Sequence, residues 1–389
     1  MFLFRQPQLD DADMLFKLAR TSHFVNLPPA KDIIEEKIVH SRQSFRALAS
    51  EQRRTHRRPK AAFTGPLYMF CVEDTETGHC LGVSMVIARM GGPGHPNVSF
   101  RVDKREFFSE ELHIGSSTQV LELDLDESGP TEVGGLILSP AFRRHPARVG
   151  KQLSLLRFHF IGIHRSMFAG RLLAEMMAPI DADGNSPFWE YVGRRFINLT
   201  YEEAYRFSQR SRDFMFELMP REPLYVSLLP PEARRVIGAV GPDTVPARRL
   251  LEALGFAANG CVDIFDGGPH LDVKTDDVPL VKDSALVEYA GTIAASKAKS
   301  SGFVSHLTTD GDFRALHTPF TRSAGKVRVP KAAAEALVLE TGDLVGVTGC
   351  SLSSPSGAAA SRSRSGGGRK VSKPTTSRTK NTAPARRRS

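Results

Sequence analysis

The chain has 389 residues, with 52 Lys plus Arg, 43 Asp plus Glu and a formal charge of +9. Ten of the cations fall in residues 351–389, which hold no acid, so residues 1–350 are near neutral, with 42 bases against 43 acids. The basicity is therefore no argument that the body binds nucleic acid.

No apolar run approaches the ~20 residues of a membrane helix, so no membrane association is expected. The opening MFLFRQPQLDDAD turns acidic too early for a signal peptide. Cys71, Cys80, Cys261 and Cys350 have neither zinc nor disulfide-framework spacing. The twelve histidines include no H-x-E or H-E-x-x-H pattern, so no metal is expected. A reducing, cytoplasmic setting is the expectation.

In chain order, residues 2–5 read as a strand. Asp10 is then expected to cap a helix with Met14, Leu15 and Leu18 at helical spacing. A second helix covers about 30–47, with Ile33, Ile34 and Ile38 on one side. Residues 48–66, with Arg53, Arg54, Arg57, Arg58 and Lys60, have no hydrophobic period and read as a solvated loop. Strands at 67–73 and 80–88 flank a turn with Gly78 at its positive-φ position. Strands near 117–126 and 132–138 follow. The basic loop FRRHPARVGK (142–151) then opens a long amphipathic helix to about 168.

A strand at 171–178, the turn DADGN and a helix at 187–194 come next. The stretch to 254 is more helical, ending in a helix at 244–254 that stops at Gly255. A strand at 259–265 and the turn DGGP (266–269) follow. Residues 303–349 read as short strands around one small helix, and the Ser/Gly/Arg-rich remainder as disordered. The whole is mixed α/β (α+β).

The strand–loop–helix at 132–165 is the place to expect a phosphate. A helix N-terminus offers unpaired N–H groups and the positive end of a dipole. Arg143, Arg144 and Arg148 add charge, and Gly150 permits a close approach. Ser84, Ser154 and Ser186 lack a nucleophile elbow, and Gly91 to Gly94 follow no dinucleotide pattern.

SPFWEYVGRRF (186–196) and ARRLLEALGF (247–256) are both similar to the helix-to-strand ending of the acyl-CoA N-acyltransferase fold, suggesting a partial duplication. VEDTETGHCLG (72–82), GLILSPAFRR (135–144), AEMMAPIDADGNSPFWEYVGRRF (174–196), FELMPREPLY (216–225), VIGAVGPDTVPARRLLEALGF (236–256) and DIFDGGPHL (263–271) are collinear segments. On them the chain resembles the arginine N-succinyltransferase family over roughly residues 1–350.

The resemblance implies an acyl-CoA N-acyltransferase-like mixed sheet with helices on both faces. It implies transfer of succinyl from succinyl-CoA, a co-substrate and not a bound cofactor, to the α-amine of L-arginine, without metal. The expected domains are 1–198, 199–300, a small β-rich module at 301–350 and the tail at 351–389.

Leu136 matches the family's succinyl-CoA contact position. The loop after it is longer than the family's and carries His145-Pro146. The family's proton-donor histidine matches Gly241 here, and Met177 stands where the family usually has Arg. Glycine transfers no proton, so another group does that work, the step is not needed, or the activity is lost.

A free amine is needed to attack a thioester, while the leaving thiolate is a weak base. Glu175 is the candidate base or guanidinium partner, and Glu222, Asp243 and Tyr225 are further candidates for proton transfer. Arg194, Arg195 and His270 read as a solvated face and a loop histidine. A homo-oligomer, or a heteromer with a paralogous subunit, is expected. The tail, which lacks aromatics, is expected to be solubilising or to meet anionic partners non-specifically.

Overall fold

The computed structural model describes residues 1–20, 27–53 and 65–352. The first strand, β1 (Phe2–Arg5), buries Leu3 and Phe4. Its Arg5 donates to both Asp11 oxygens (2.7 and 2.9 Å) and to Glu73. Asp11 also accepts from the Gln8 N–H (2.7 Å), so the turn into α1 (Ala12–Arg20) is fixed by Gln8 and Asp11. Asp10, expected in that role, is exposed.

The second helix, α2 (Lys31–Arg53), buries Ile33, Ile34 and Ile38 as predicted, but runs past 47. Phe45, Leu48 and Ala49 prolong its buried stripe, which the charged sequence around them obscured. The rest of the stretch expected as a loop, with Arg54, Arg57, Arg58 and Lys60, lies outside the described residues.

The hairpin of β2 (Leu67–Asp74) and β3 (His79–Ile87) matches the sequence reading, with Gly78 at φ 69°. A strand that reading omits, β4 (Asn97–Ser109), pairs along its full length with β5 (Ile114–Asp126). Its outer half leaves the sheet as an exposed ribbon, so no face there required an apolar alternation.

After β6 (Thr131–Leu138) the chain enters α3 (Val149–Ile163) and returns as β7 (Arg171–Glu175). The two-residue β8 (Leu224–Tyr225), then β9 (Ala257–Asp263) and β10 (Pro269–Lys274), complete a sheet in the order β1-β2-β3-β6-β7-β10-β9-β4-β5-β8. α1 and α2 bury Leu15, Leu18, Ile34 and Ile38 against Met69, Cys71 and Val83 on one face. α3 covers Phe70, Val72, Leu172, Ala174 and Leu271 on the other. This is the mixed sheet with helices on both faces.

Residues from 285 onward form β11 (Ala285–Thr292), β12 (Ser300–Leu307), β13 (Phe313–Ser323), β14 (Lys326–Val329) and β15 (Leu344–Gly349). The order β12-β15-β11-β14-β13 closes on itself through β12–β13 pairing, giving a five-stranded barrel that joins the main sheet where β13 pairs β1.

The barrel explains why α3 is not amphipathic. It ends at Ile163, short of 168, and is buried on all sides between sheet and barrel. His159 meets Thr348 Oγ1 (2.6 Å) and Ser305 Oγ (2.7 Å) of the barrel, and burial holds its pKa down at about 3.

Two further expectations change. Residues 186–196 do not lead into a strand. They include a π-helical turn at Trp189–Gly193 and continue to the helix Tyr201–Ser208, whose N-cap Thr200 accepts from Glu203 N–H (3.2 Å). Only 247–256 ends on a strand, β9. The strand expected over 171–178 stops at Glu175, and Met176–Ala178 continue as its extension against the β9–β10 turn.

Candidate active site

The site is built where two parallel strands part. β6 and β7 pair only at Thr131↔Leu172 and Glu132↔Leu173. Gly135 then takes φ 58°, and the register with β3 shifts between Val83 and Met85. The bulge changes the facing of β6: Val133 lies in the core under α3, whereas Ile137 lies in the core under α1 and α2. The left-handed φ at 135 favours glycine at the bend, where a β-carbon would also crowd the Met85 side chain. Beyond Glu132, the β7-facing edge of β6 has no strand partner among the described residues, and a wedge opens.

The mouth of the wedge is the basic loop. Arg144 and Arg148 hold left-handed backbone, φ 65° and 53°. Arg143, Arg144 and Arg148 are exposed around the N-terminus of α3. A β-carbon at Gly150 would lie 3.2 Å from Leu138, so α3 approaches the end of β6 closely. Leu136 and Leu138 are partly buried against the α3 core. The additional His145 packs edge-on against Phe2, with ring centroids 5.3 Å apart. Arg148 and Lys151 both donate to the carbonyl of Leu352, at 2.5 and 3.2 Å, so the last described residue ends at this loop.

Gly241 closes the wedge from the other side. Its N–H donates to Met177 O (2.9 Å). The N–H of Met176 points the opposite way, to Pro269 O on β10 (3.1 Å). Backbone groups alternate sides along an extended chain, so Gly241 stands on the edge of the β7 extension that β6 has left. Asp243, two residues on, lies 3.9 Å from Arg143, and the sequence-predicted loops thus meet. Glu222 and Tyr225 do not join them. Tyr225 is on β8, paired with β5 at Val120, five strands along the sheet from β7. Arg194 pairs with Glu190 (2.9 Å), and Arg195 lies over the Tyr191 ring.

Leu172 and Ala174 face α3, so Arg171, Leu173 and Glu175 project from the other face. There Glu175 Oε1 accepts from Asn97 Nδ2 (3.2 Å) and lies 3.8 Å from His270 Nε2. His270 is directly opposite Glu175 on β10 and only 2% exposed, and its Nε2 has no hydrogen-bond partner. Asp263 completes a trio whose side-chain N and O atoms lie within 4.8 Å of one another.

Burial, with Asp266 and Glu175 nearby, pushes the Asp263 carboxyl up to about 7; burial pushes Asp266 up to about 6. Asp266 accepts from the N–H groups of Ala178 (3.1 Å) and Gly268 (2.7 Å), tying the β7 extension to the β9–β10 turn. Burial lowers Lys37 of α2 to about 8, against the pull of Glu132. Next to the trio, Asn97, Arg101, Asp124, Arg171, His270 and Asp272 line a polar cavity of about 370 Å³. Three of its acids are paired with cations, Asp124 with Arg101 and Asp126 and Asp272 with Arg171, while Glu127 accepts from the Gly94 N–H (2.9 Å).

Of the sequence-predicted residues, Arg143, Asp243, Gly241 and Leu136 lie around the wedge, while Glu175, on β7 beside it, turns its carboxylate toward Asn97 of β4 and His270 of β10. Asp263 and Asn97 were missed, and His270 was read as a loop residue. The available signal was the pair of acids around the Gly-Gly turn in DIFDGGPHL.

A parallel pair of strands that part at a bulge, with a basic helix N-terminus at the opening, defines an acyl-CoA N-acyltransferase fold. The solved arginine/ornithine succinyltransferase subunit AI from Pseudomonas aeruginosa superimposes with a TM-score of 0.73 at 28% identity, over 90% of this chain and 98% of that one. The family model described as arginine N-succinyltransferase beta subunit matches residues 2–280, and the chain belongs to that family.

Among curated relatives, the arginine N-succinyltransferase of Yersinia pestis (strain Pestoides F) is 38% identical over 284 residues, 72% of this chain and 80% of its own length. That of Yersinia enterocolitica is 42% identical over 219 residues, 56% of this chain and 63% of its own length. No helix among the described residues is long and apolar enough to cross a membrane.

Proposed function

We propose that the chain transfers the succinyl group of succinyl-CoA to the α-amine of L-arginine. The wedge between β6 and β7, opening on the N-terminus of α3, carries this reading. The diphosphate of the co-substrate lies across that N-terminus, with Arg143, Arg144 and Arg148 as its cations and Gly150 allowing the close approach. The thioester arm runs past Leu136 to the unpaired edge of β6, whose N–H groups stabilise the oxyanion. The acceptor arrives from the face that bears Glu175.

Free-thiol release together with the mass of the product tests this. Thiol release with succinyl-CoA and L-arginine, accompanied by succinylarginine, supports it. Turnover only with another acyl-CoA or amine, the outcome Met177 favours, replaces the substrates and keeps the class.

Gly241 favours a second reading, a catalytically silent partner subunit. It predicts CoA binding by calorimetry without turnover, and activity only after mixing with a paralogous chain.

The chain is further proposed to work in the cytoplasm as an oligomer. Phe107, Phe108, Leu112 and Ile114 are exposed at the tip of the β4–β5 ribbon, which supports self-association through a second copy. Light scattering on a Phe108→Ser variant checks it: a shift to monomer is expected.

A further inference from the structure

Resting on the N-acyltransfer reading, we propose that Glu175 and His270 form the proton relay of this enzyme, taking over the work of the imidazole that is absent at position 241. Glu175 is the catalytic residue and His270 positions and backs it.

Three observations converge. Gly241 binds the backbone at Met177, two residues after Glu175, so the lost imidazole and the Glu175 carboxylate serve the same stretch of the β7 extension. Glu175 projects on the face opposite α3, where Asn97 of β4 holds its carboxylate (3.2 Å). Finally, His270 has an unpartnered Nε2, buried and 3.8 Å from the Glu175 carboxylate. Buried ring nitrogens without a hydrogen-bond partner are rare in folded proteins, and one that persists points to a functional role.

The surroundings suit proton traffic. Asp263 of β9 and Asp266 of the β9–β10 turn face the pair, and Asn97 of β4 holds Glu175 while receiving Arg212 (2.9 Å). Tyr201 and Tyr205 of the helix Tyr201–Ser208 lie within electrostatic reach of Asp263, and Glu132 of β6 and Lys37 of α2 complete the charged set.

The proton count closes. The acceptor ammonium gives one proton to Glu175, which His270 stabilises. The free amine attacks the thioester carbon and forms the C–N bond. The C–S bond then breaks, and the relay returns its proton to the departing thiolate. The surplus proton on nitrogen passes to solvent through the polar cavity that His270 lines. The sum is ammonium plus thioester giving amide, thiol and one proton.

The test uses the full chain, thiol release and a pH range of about 6 to 9.5. Glu175→Gln is expected to lower kcat at least ~100-fold with CoA binding unchanged. His270→Gln, which keeps bulk and a polar head, is expected to lower kcat about 10-fold and to move the acidic limb of kcat/KM, leaving the KM for succinyl-CoA alone. The double variant should be no slower than Glu175→Gln, because His270 acts through Glu175.

A His270→Gln enzyme with wild-type kcat and pH profile overturns the relay, as do multiplying losses in the double variant. Turnover abolished by a chelator and restored by Zn²⁺ or Mn²⁺ also overturns it. If His270→Gln unfolds, His270→Asn and calorimetric CoA binding separate folding from chemistry. A wild-type chain that binds CoA but acylates no amine defeats the acyltransferase reading itself. An active wild type with indifferent variants defeats only the relay.

Discussion

Gly241 donates its backbone N–H to the carbonyl of Met177 across 2.9 Å, and by that contact the wedge between β6 and β7 is closed at its far side. A β-carbon at 241 would stand 3.0 Å from Ala178 O, tighter than an ordinary contact and against backbone. Gly241→Ala should therefore cost about 1–2 kcal/mol, read as a lower urea midpoint at unchanged slope. Turnover should fall less than the stability change suggests, because position 241 carries no chemistry here. An unchanged midpoint would mean that the 177–178 segment yields freely and that the wedge is softer than described.

Arg144 separates binding from stability. Its φ of 65° is left-handed, a conformation that costs a non-glycine residue about 1 kcal/mol or more. On the proposed function, its guanidinium meets the diphosphate arm. Arg144→Gly should raise the KM for succinyl-CoA about 10-fold, the worth of one charge-assisted bond, with kcat little changed. The same variant should be slightly more stable than the parent. A KM that stays put places the diphosphate elsewhere on the loop.

His159 sets a pH dependence of stability. Buried between α3 and the barrel, it resists protonation down to about 3, and His164 down to about 4. An unfolded chain takes those protons near ~6.5. As pH falls below that value the unfolded state gains protons that the folded state refuses, so this contribution is complete above ~6.5 and shrinks toward the folded values. Asp263 and Asp266 work in the other direction over part of the same window. Their carboxyls are raised, so their contribution is complete at low pH and is lost as pH rises toward about 6 to 7. The clean comparison is His159→Gln against wild type. The gap between their unfolding free energies should narrow as pH drops from 7 to 4. A constant gap would show that the imidazole takes up its proton as readily in the fold as in the unfolded chain.

Most elements were legible in sequence, because a half-buried strand or helix writes its period into its residues. Gly78 and Gly255 punctuated correctly for the same local reason. The omitted elements lack that imprint. β4 spends half its length in an exposed ribbon, and β8 is two residues paired at an edge. α3 was misread as amphipathic because the barrel that covers its second face comes from residues 285–349, which no local period reveals. At the site, the loop Arg143–Arg148 and Glu175 were readable from their own segments. The Glu175–His270 pairing was not, since it depends on the antiparallel register of β7 and β10, nearly a hundred residues apart in sequence. Tyr225 was drawn into the candidate set by nearness along the chain to Gly241, and the sheet carries it five strands away.

The basic tail offers the last prediction. Its ten cations lie between Arg362 and Arg388, with no acid among them. The ten cations add to the positive field that a polyanion such as CoA meets on approach. Counterion release makes such an attraction strong at low salt and weak at high salt. A chain ending at Leu352 should therefore show a several-fold higher KM for succinyl-CoA at about 20 mM salt, and the two chains should converge by about 0.5 M, where the Debye length is only a few ångströms. The KM for arginine should not respond, because a cationic acceptor gains nothing from more positive charge. Equal KM values for succinyl-CoA at every salt concentration would leave the tail with solubility alone.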